Sequence, residues 1–417
     1  MKAHIFILRY SFILMMFLLG GCGKMSDKEN NQTMKHSQEE ILNATENVES
    51  YIDKENFDMQ NMLNDRPLDV SDATEISLNK NAKESSDLLC IDFEIDKGNV
   101  DTEAETYVEI SECVRNKNDI FYVRSYGEEG AQFYYLNRIY CSDLKHNKEV
   151  LLYETDAVWL NEFLATDMNL YWVEYVFSEE KGDFDYNVMQ YNLSTEVVTC
   201  IASRNAVESE EICLAVSNDY VAWYDSYWDG RVQIIIFDIE KQEIQNIQDA
   251  NIKKFMPYER LNIVDDYITF FSQDEEGWIY INRYNLNTYE KDVLLLGKKE
   301  DYKKLAACFS DSKYIGWLTE YSYGTYYFYN IETGNLYSLS QSDEMRVFSG
   351  WLSDYLFINE SQSGCVYVYD FDTKETYYQN ITQGTALSLR SYGDHHLYMK
   401  VVGEKNVELL TVQSILE

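Results

Sequence analysis

One ten-residue phrase recurs along this chain, and a recurring phrase limits the possible folds more than composition does. "YNLSTEVVTC" at Tyr191 comes back as "YNLNTYEKDV" at Tyr284, "YNIETGNLYS" at Tyr329 and "YDFDTKETYY" at Tyr369, with "FDIEKQEIQN" at Phe237 as a looser copy. Each copy belongs to a larger unit: a short apolar strand, a tight turn, an aromatic-rich strand, a loop that usually contains Gly, an alternating strand, the phrase as a turn, and a fourth strand. The run "EICLAVS", "ND", "YVAWYDS", "YWDG", "RVQIIIFDI", "EKQ", "EIQNIQ" shows the unit in full. Second strands are expected to begin near Asp119, Asn169, Asp219, Asp266, Lys313, Asp354 and His395, which lie 50, 50, 47, 47, 41 and 41 residues apart.

Four strands per period of this size describe the blades of a β-propeller. The expectation is therefore an all-β fold, a seven-bladed propeller of four-stranded antiparallel blades over residues 87–417. The Asn or Asp that opens the phrase can bond its own backbone two residues on, which suits the turn between third and fourth strands. Alternation such as Val366-Tyr367-Val368-Tyr369 sends side chains to both faces of a blade, and a stacked blade buries both. The last unit runs out of chain after three strands. The stretch "DLLCIDFEI", about 87–95, is expected to pair with Val407 to Gln413 and supply the missing fourth strand.

The layout of "SNDYVAWYDSYWDGRVQIIIFDIEKQ" is similar to the TolB-like propeller repeats of bacterial secreted and surface proteins, although the Pro-Asp-Gly turn usual in those repeats is absent. The resemblance covers about residues 100–417 and implies a scaffold. Such propellers include binding modules as well as domains attached to enzymes.

The N-terminus carries a different message. Lys2 and Arg9 precede an apolar run from Ser11 to Leu19, too short for a membrane span and suited to a secretory signal over residues 1–21. Leu19-Gly20-Gly21-Cys22 resembles the lipobox of bacterial lipoproteins, which implies cleavage before Cys22 and lipidation of its sulfur. Residues 22–86 are dominated by Asn, Glu, Lys, Asp, Ser and Gln and read as a flexible polar tether, with a reach on the order of 45 Å. The expected location is extracytoplasmic, held to the cell membrane by lipid alone.

The chain has a formal charge of −37, and loss of Lys2 and Arg9 with the signal takes it to −39. Nucleic acid and anionic membrane surfaces would repel it at long range, so neither is an expected partner. The seven cysteines after Cys22 follow no C-x-x-C spacing, which gives no sign of zinc or of a redox pair. The five histidines fall in the signal, the tether, a turn, and the adjacent pair His395-His396, whose side chains point to opposite faces of a strand. No nucleophile elbow, metalloprotease helix or phosphate loop occurs.

What accumulates is acid and aromatic character in the loops between second and third strands. Tyr126, Glu128, Glu129, Glu179, Glu180, Asp183, Tyr227, Trp228, Asp229, Asp274, Glu275, Glu276, Tyr321 and Tyr323 are the candidate ligand-binding residues. In a propeller these loops share one end with the connections between blades, and exposed Tyr and Trp are favoured interface anchors. No organic cofactor is signalled; calcium is the cation that Asp183, Asp185 or Asp229 would suit. The leading expectation is a non-catalytic module that binds a protein, peptide or cell-wall glycan of the envelope. The alternative is a carbohydrate-active hydrolase or lyase using loop-face carboxylates around an axial pocket.

Overall fold

The computed structural model describes residues 60–78, 82–85, 89–96, 106–116, 119–128, 134–143, 148–206, 210–247, 251–257, 259–264, 266–300, 302, 305–320, 324–340, 346–352, 355–360, 365–380, 385–392, 396–402 and 406–412. All lie in one compact unit, Val48–Glu417. Four strands come first: β1 (Gln60–Met62), β2 (Thr74–Glu75), β3 (Lys83–Glu84) and β4 (Leu89–Asp96). Sheet 1 holds β5 (Thr106–Arg115), β6 (Asp119–Glu128), β7 (Tyr134–Asp143) and β8 (Lys148–Thr155). Sheet 2 holds β9 (Trp159–Ala165), β10 (Asn169–Ser178), β11 (Asp183–Asn192) and β12 (Val197–Asn205). Sheet 3 holds β13 (Leu214–Val216), β14 (Tyr220–Ser226), β15 (Val232–Asp238) and β16 (Glu243–Ile247).

In sheet 4 the first position is divided between β17 (Ile252–Lys253) and β18 (Asn262–Val264), followed by β19 (Tyr267–Gln273), β20 (Trp278–Asn285) and β21 (Lys291–Lys298). Sheet 5 holds β22 (Ala307–Ser310), β23 (Tyr314–Leu318), β24 (Thr325–Asn330) and β25 (Leu336–Ser340). Sheet 6 holds β26 (Arg346–Leu352), β27 (Tyr355–Glu360), β28 (Cys365–Asp370) and β29 (Thr376–Asn380). Sheet 7 holds β30 (Thr385–Tyr392), β31 (His396–Val402), β32 (Asn406–Val412) and, as its fourth strand, β4. First strands stand side by side: β5 with β9, β9 with β13, β13 with β18, β18 with β22, and β26 with β30. Every second strand begins within one residue of its expected start. The pairing of β4 runs antiparallel from Asn406↔Asp96 to Val412↔Leu89.

The repeated phrase is a turn with one chemistry. The side-chain oxygen of its Asn or Asp accepts backbone N–H groups two or three residues ahead: Asn192 from Ser194 at 3.0 Å, Asn285 from Asn287 at 2.9 Å, Asn330 from Thr333 at 2.8 Å and Asp370 from Asp372 at 2.8 Å. Four residues after that Asn or Asp the backbone turns left-handed, at Glu196, Gln242, Tyr289, Gly334 and Lys374, with φ of 57°, 56°, 63°, 70° and 58°. Each of these donates its N–H to the carbonyl of the opening residue, at 2.8 to 2.9 Å. That is a type I turn closed by a bulge, which leads into a hairpin. One copy places Gly at the left-handed position; the other four hold it against steric preference.

The core lies between sheets. In β14, Val221 and Trp223 pack towards sheet 2 among Tyr171, Val173 and Val188, while Tyr220, Ala222 and Tyr224 pack towards sheet 4 among Ile263, Ile268 and Phe270. All seven residues of β14 are buried. Corresponding apolar layers join sheets 1 and 2, 4 and 5, and 5 and 6. The fourth residue of the second strand is the large anchor: Trp172, Trp223, Phe270 and Trp317 are each fully enclosed.

The tether expected over residues 22–86 requires a correction from residue 60 onward. β1 pairs parallel with β21 (Gln60↔Lys291), β2 with β25 (Thr74↔Tyr337) and β3 with β29 (Tyr377↔Lys83), so this segment adds a fifth strand to sheets 4, 5 and 6 in turn. Asn64 continues the pairing with its side-chain amide, donating to the Leu295 carbonyl and accepting its N–H, both at 2.9 Å. Ile76 and Leu78 are 4% and 1% exposed within the layer between sheets 5 and 6, and Leu63, Leu68 and Val70 pack on the layer between sheets 4 and 5. A polar stretch therefore orders through open backbone edges and a few well-placed aliphatics, not through average hydrophobicity. Cys22 and residues 1–59 lie outside the described residues.

Candidate functional site

The loops between second and third strands and the connections between sheets emerge at the same end, because consecutive strands are antiparallel. Most of the acids expected there brace turns. In sheet 4, Asp274 Oδ1 accepts the N–H groups of Glu276 (3.0 Å) and Trp278 (2.9 Å), and its Oδ2 accepts the Tyr280 hydroxyl (2.9 Å). Glu275 and Glu276 are exposed on that turn. In sheet 2, Glu179 and Glu180 sit exposed on the turn, Asp183 accepts the Phe184 N–H at 2.8 Å, and Asp185 takes Lys181 at 2.8 Å and Asn205 at 3.0 Å. In sheet 1, the Arg138 guanidinium lies 5.1 Å over the Tyr126 ring. Glu128 ends β6, while Glu129, Tyr321 and Tyr323 lie outside the described residues. Among the described residues no three His, Cys, Asp or Glu side chains are grouped to hold a metal ion.

The loop of sheet 3 is the most tightly built. Buried Asp225 accepts two bonds from Arg204 (2.8 and 3.1 Å), one from the Tyr227 hydroxyl (2.9 Å) and one from Gln233 (2.8 Å). Burial, then the Asp225 charge, holds the Tyr227 hydroxyl above the usual phenol range. Arg231 stacks 4.3 Å over Tyr227 and bonds Asp229 at 2.8 Å. Trp228 donates its indole N–H to Ala206 O at 2.8 Å and leaves the ring 52% exposed. A fixed, half-open indole of this kind costs little entropy to cover.

Sheet 4 opens between β17 and β18 into an excursion that ties three sheets together. Arg260 Nη2 reaches Glu162 Oε1 of β9 at 2.6 Å, and Glu162 Oε2 accepts the Leu214 N–H of β13 at 3.3 Å. Glu162 stands at a bulge of β9 with φ of 57°. Glu259, fully enclosed, accepts the Phe255 N–H at 2.9 Å and the Tyr224 hydroxyl at 3.3 Å, yet desolvation pushes its carboxyl up to about 8, so it is protonated at neutral pH. Buried Glu174, bonded by the Trp172 indole at 3.1 Å, is likewise raised by desolvation.

Residues absent from the sequence-derived set line a cavity of about 700 Å³ at the same end. Pro67, Leu68 and Val70 of the N-terminal segment cover one side; Leu296 and Gly297 of sheet 4, Tyr302 and Leu305 of the connection to sheet 5, and Tyr327 of β24 form the others. Thr319 and three carboxylates, Asp69, Glu300 and Glu320, complete the lining. Asp69 caps the short turn Val70–Asp72 by accepting from Ser71, which lowers its pKa. Tyr327 stacks on Trp317 with centroids 5.2 Å apart. The volume falls in the range of small-molecule and peptide sites, with apolar walls and a few polar groups.

Solved structures agree on the architecture. The β-propeller domain of the Trilobed protease from Pyrococcus furiosus, described as having an open velcro topology, superposes with a TM-score of 0.51 at 13% identity, covering 74% of this chain and 94% of that one. An acylaminoacyl peptidase in complex with Z-Gly-Gly-Phe-chloromethyl ketone gives 0.50 at 12% identity, with 74% of this chain matching 51% of the peptidase. The chain thus spans about half of that enzyme. At these identities the likeness shows the fold, a β-propeller. No family model and no curated protein matches the sequence.

Proposed function

We propose that the chain is a non-catalytic binding module on the cell envelope. In this reading the seven sheets are seven blades, ringed and closed where β4 completes sheet 7, and the layout is TolB-like. Lipid on Cys22 holds the module to the outer side of the cell membrane. The ligand, a protein, peptide or cell-wall glycan, meets the loop end of the disc. The observation that carries the reading is the cavity roofed by the N-terminal segment: it is walled by Leu, Val, Pro and Tyr, and the two carboxyls that burial raises, Glu174 and Glu259, lie elsewhere, each hydrogen-bonded. A hydrolase would place its raised acid where substrate sits.

The test is binding of purified envelope preparations to the immobilised mature chain. Charge reversals Glu300→Lys and Glu320→Lys at the rim should weaken binding, while Glu240→Lys, on a turn at the opposite end, should not. Equal loss in all three, or loss in none, would remove the loop-end assignment. Release of product from envelope glycan by the wild-type chain would replace the binding reading with the enzymatic one.

A further inference from the structure

We infer that the cavity beneath residues 67–70 takes a short peptide segment whose alkylammonium group lies among Asp69, Glu300 and Glu320 while its aliphatic neighbours pack on Leu68, Leu296 and Leu305. The inference rests on the binding reading and narrows it to one site and one ligand chemistry. Three observations lead there. The first is the division of the lining: five aliphatic residues and two tyrosines form walls, and the ionisable groups other than tyrosine are three carboxylates, with no Lys or Arg. The flanking cations are directed to other work or to solvent, since Lys298 lies 4.9 Å over the Trp278 ring and Lys299 and Arg66 are exposed. A cation entering this lining is attracted by three like charges in a partly desolvated setting, whereas an anion is repelled by all three.

The second is size. A volume of about 700 Å³ is several times that of one amino-acid side chain and suits a few residues rather than a folded domain or a long glycan. The third is the roof. Asp69 is held by the Ser71 N–H at 3.0 Å and the Ser71 hydroxyl at 2.6 Å, and the Leu68 N–H is bonded to Leu296 O at 3.1 Å, so the covering segment is a fixed wall. Preformed walls reduce the ordering cost of binding. Tyr302 and Tyr327 add ring faces that favour an ammonium over a neutral amide.

The experiment is calorimetric titration of the full mature chain with acetyl-Leu-Lys-Leu-amide. The control is the same peptide with the lysine ε-amine acetylated, which keeps shape and apolar area but removes the charge. Binding of the charged peptide about tenfold or more tighter than the acetylated one, weakening as salt rises from about 0.05 to 0.5 M, is the expected result. Glu300→Gln combined with Glu320→Gln should erase the preference while leaving the melting temperature unchanged. Equal affinity for both peptides, tighter binding of acetyl-Leu-Glu-Leu-amide, or a preference that survives the double substitution would each overturn the inference. If envelope material still binds in a rim-dependent way while the lysyl peptide does not, the ligand class falls and the binding module stands; if neither binds, both fall.

Discussion

Sheets 4, 5 and 6 each carry a fifth strand taken from the N-terminal segment, whereas sheets 1, 2 and 3 end, among the described residues, at β8, β12 and β16. Their outer strands differ in kind. β8 reads KEVLLYET, β12 reads VVTCIASRN and β16 reads EIQNI, so every uncovered edge contains at least one charged residue. β25 reads LYSLS and β29 reads TYYQN, with no charge at all. Charged edges resist pairing with other chains by themselves; uncharged ones invite it unless something is laid over them. β21, with Lys291, Asp292 and Lys298, is charged and covered nonetheless, and there the covering segment also roofs the cavity. The comparison teaches that the N-terminal segment both protects the edges least able to protect themselves and builds the site.

The largest test of this contrast replaces residues 60–85 by a Gly/Ser linker of equal length. Ile76 and Leu78 alone should each forfeit about 1.5–3 kcal/mol of burial, and hydrogen exchange should quicken in β25 and β29 but not in β12. Uniform quickening in all three strands would mean that the segment is a general support, not an edge cover. Smaller in scale, Leu78→Ala should cost about 2–4 kcal/mol in urea unfolding, against less than about 0.5 for Val150→Ala, which is 44% exposed on the uncovered edge of sheet 1.

A third test lies at the border of the two halves. The folded pKa of Glu259, about 8, exceeds its unfolded value, so below about pH 4.5 the group makes no difference, and from there to about 8 the native state increasingly bears the cost of holding its proton. Above 8 the loss levels off. Glu259→Gln, which keeps an acceptor for the Phe255 N–H, should flatten the decline of melting temperature between pH 5 and 8. A variant that declines as steeply as the parent would show the slope to originate elsewhere. The smallest effect belongs to the turns: Glu196→Gly beside bare sheet 2 and Lys374→Gly beside covered sheet 6 should each stabilise by about 0.5–1 kcal/mol, because Gly holds a left-handed φ without steric cost. Destabilisation in either would show that its side chain contributes more than its backbone strain removes.

The sequence was informative where one residue enforces one local geometry. Asn192, Asn285, Asn330 and Asp370 each close the same turn, and repetition made them visible. The closing strand expected at about 87–95 is found at Leu89–Asp96 because an incomplete last unit demands a partner. The N-terminal segment was misread because strands of two or three residues, paired through backbone, leave almost no side-chain pattern; the alternation of Ile76 and Leu78 was the available trace. At the site, the sequence marked acids but could not tell ligand groups from turn braces such as Asp274 and Asp229. Nor could it join Glu162 to Arg260, 98 residues away, or bring Leu68 to Tyr327.

The order of the N-terminal rungs has a mechanical meaning. From Gln60 the chain meets the edge of sheet 4, then 5, then 6, and finally completes sheet 7 through β4 before entering sheet 1. Tension arriving along the chain from its N-terminal side therefore loads β1 first, and β2, β3 and β4 come under strain only as each predecessor lets go. The first rungs are three, two and two residues long, while β4 is eight. A pull on the anchor would be absorbed as a series of small yields at the rim, opening the roof of the cavity well before the long last rung gives way.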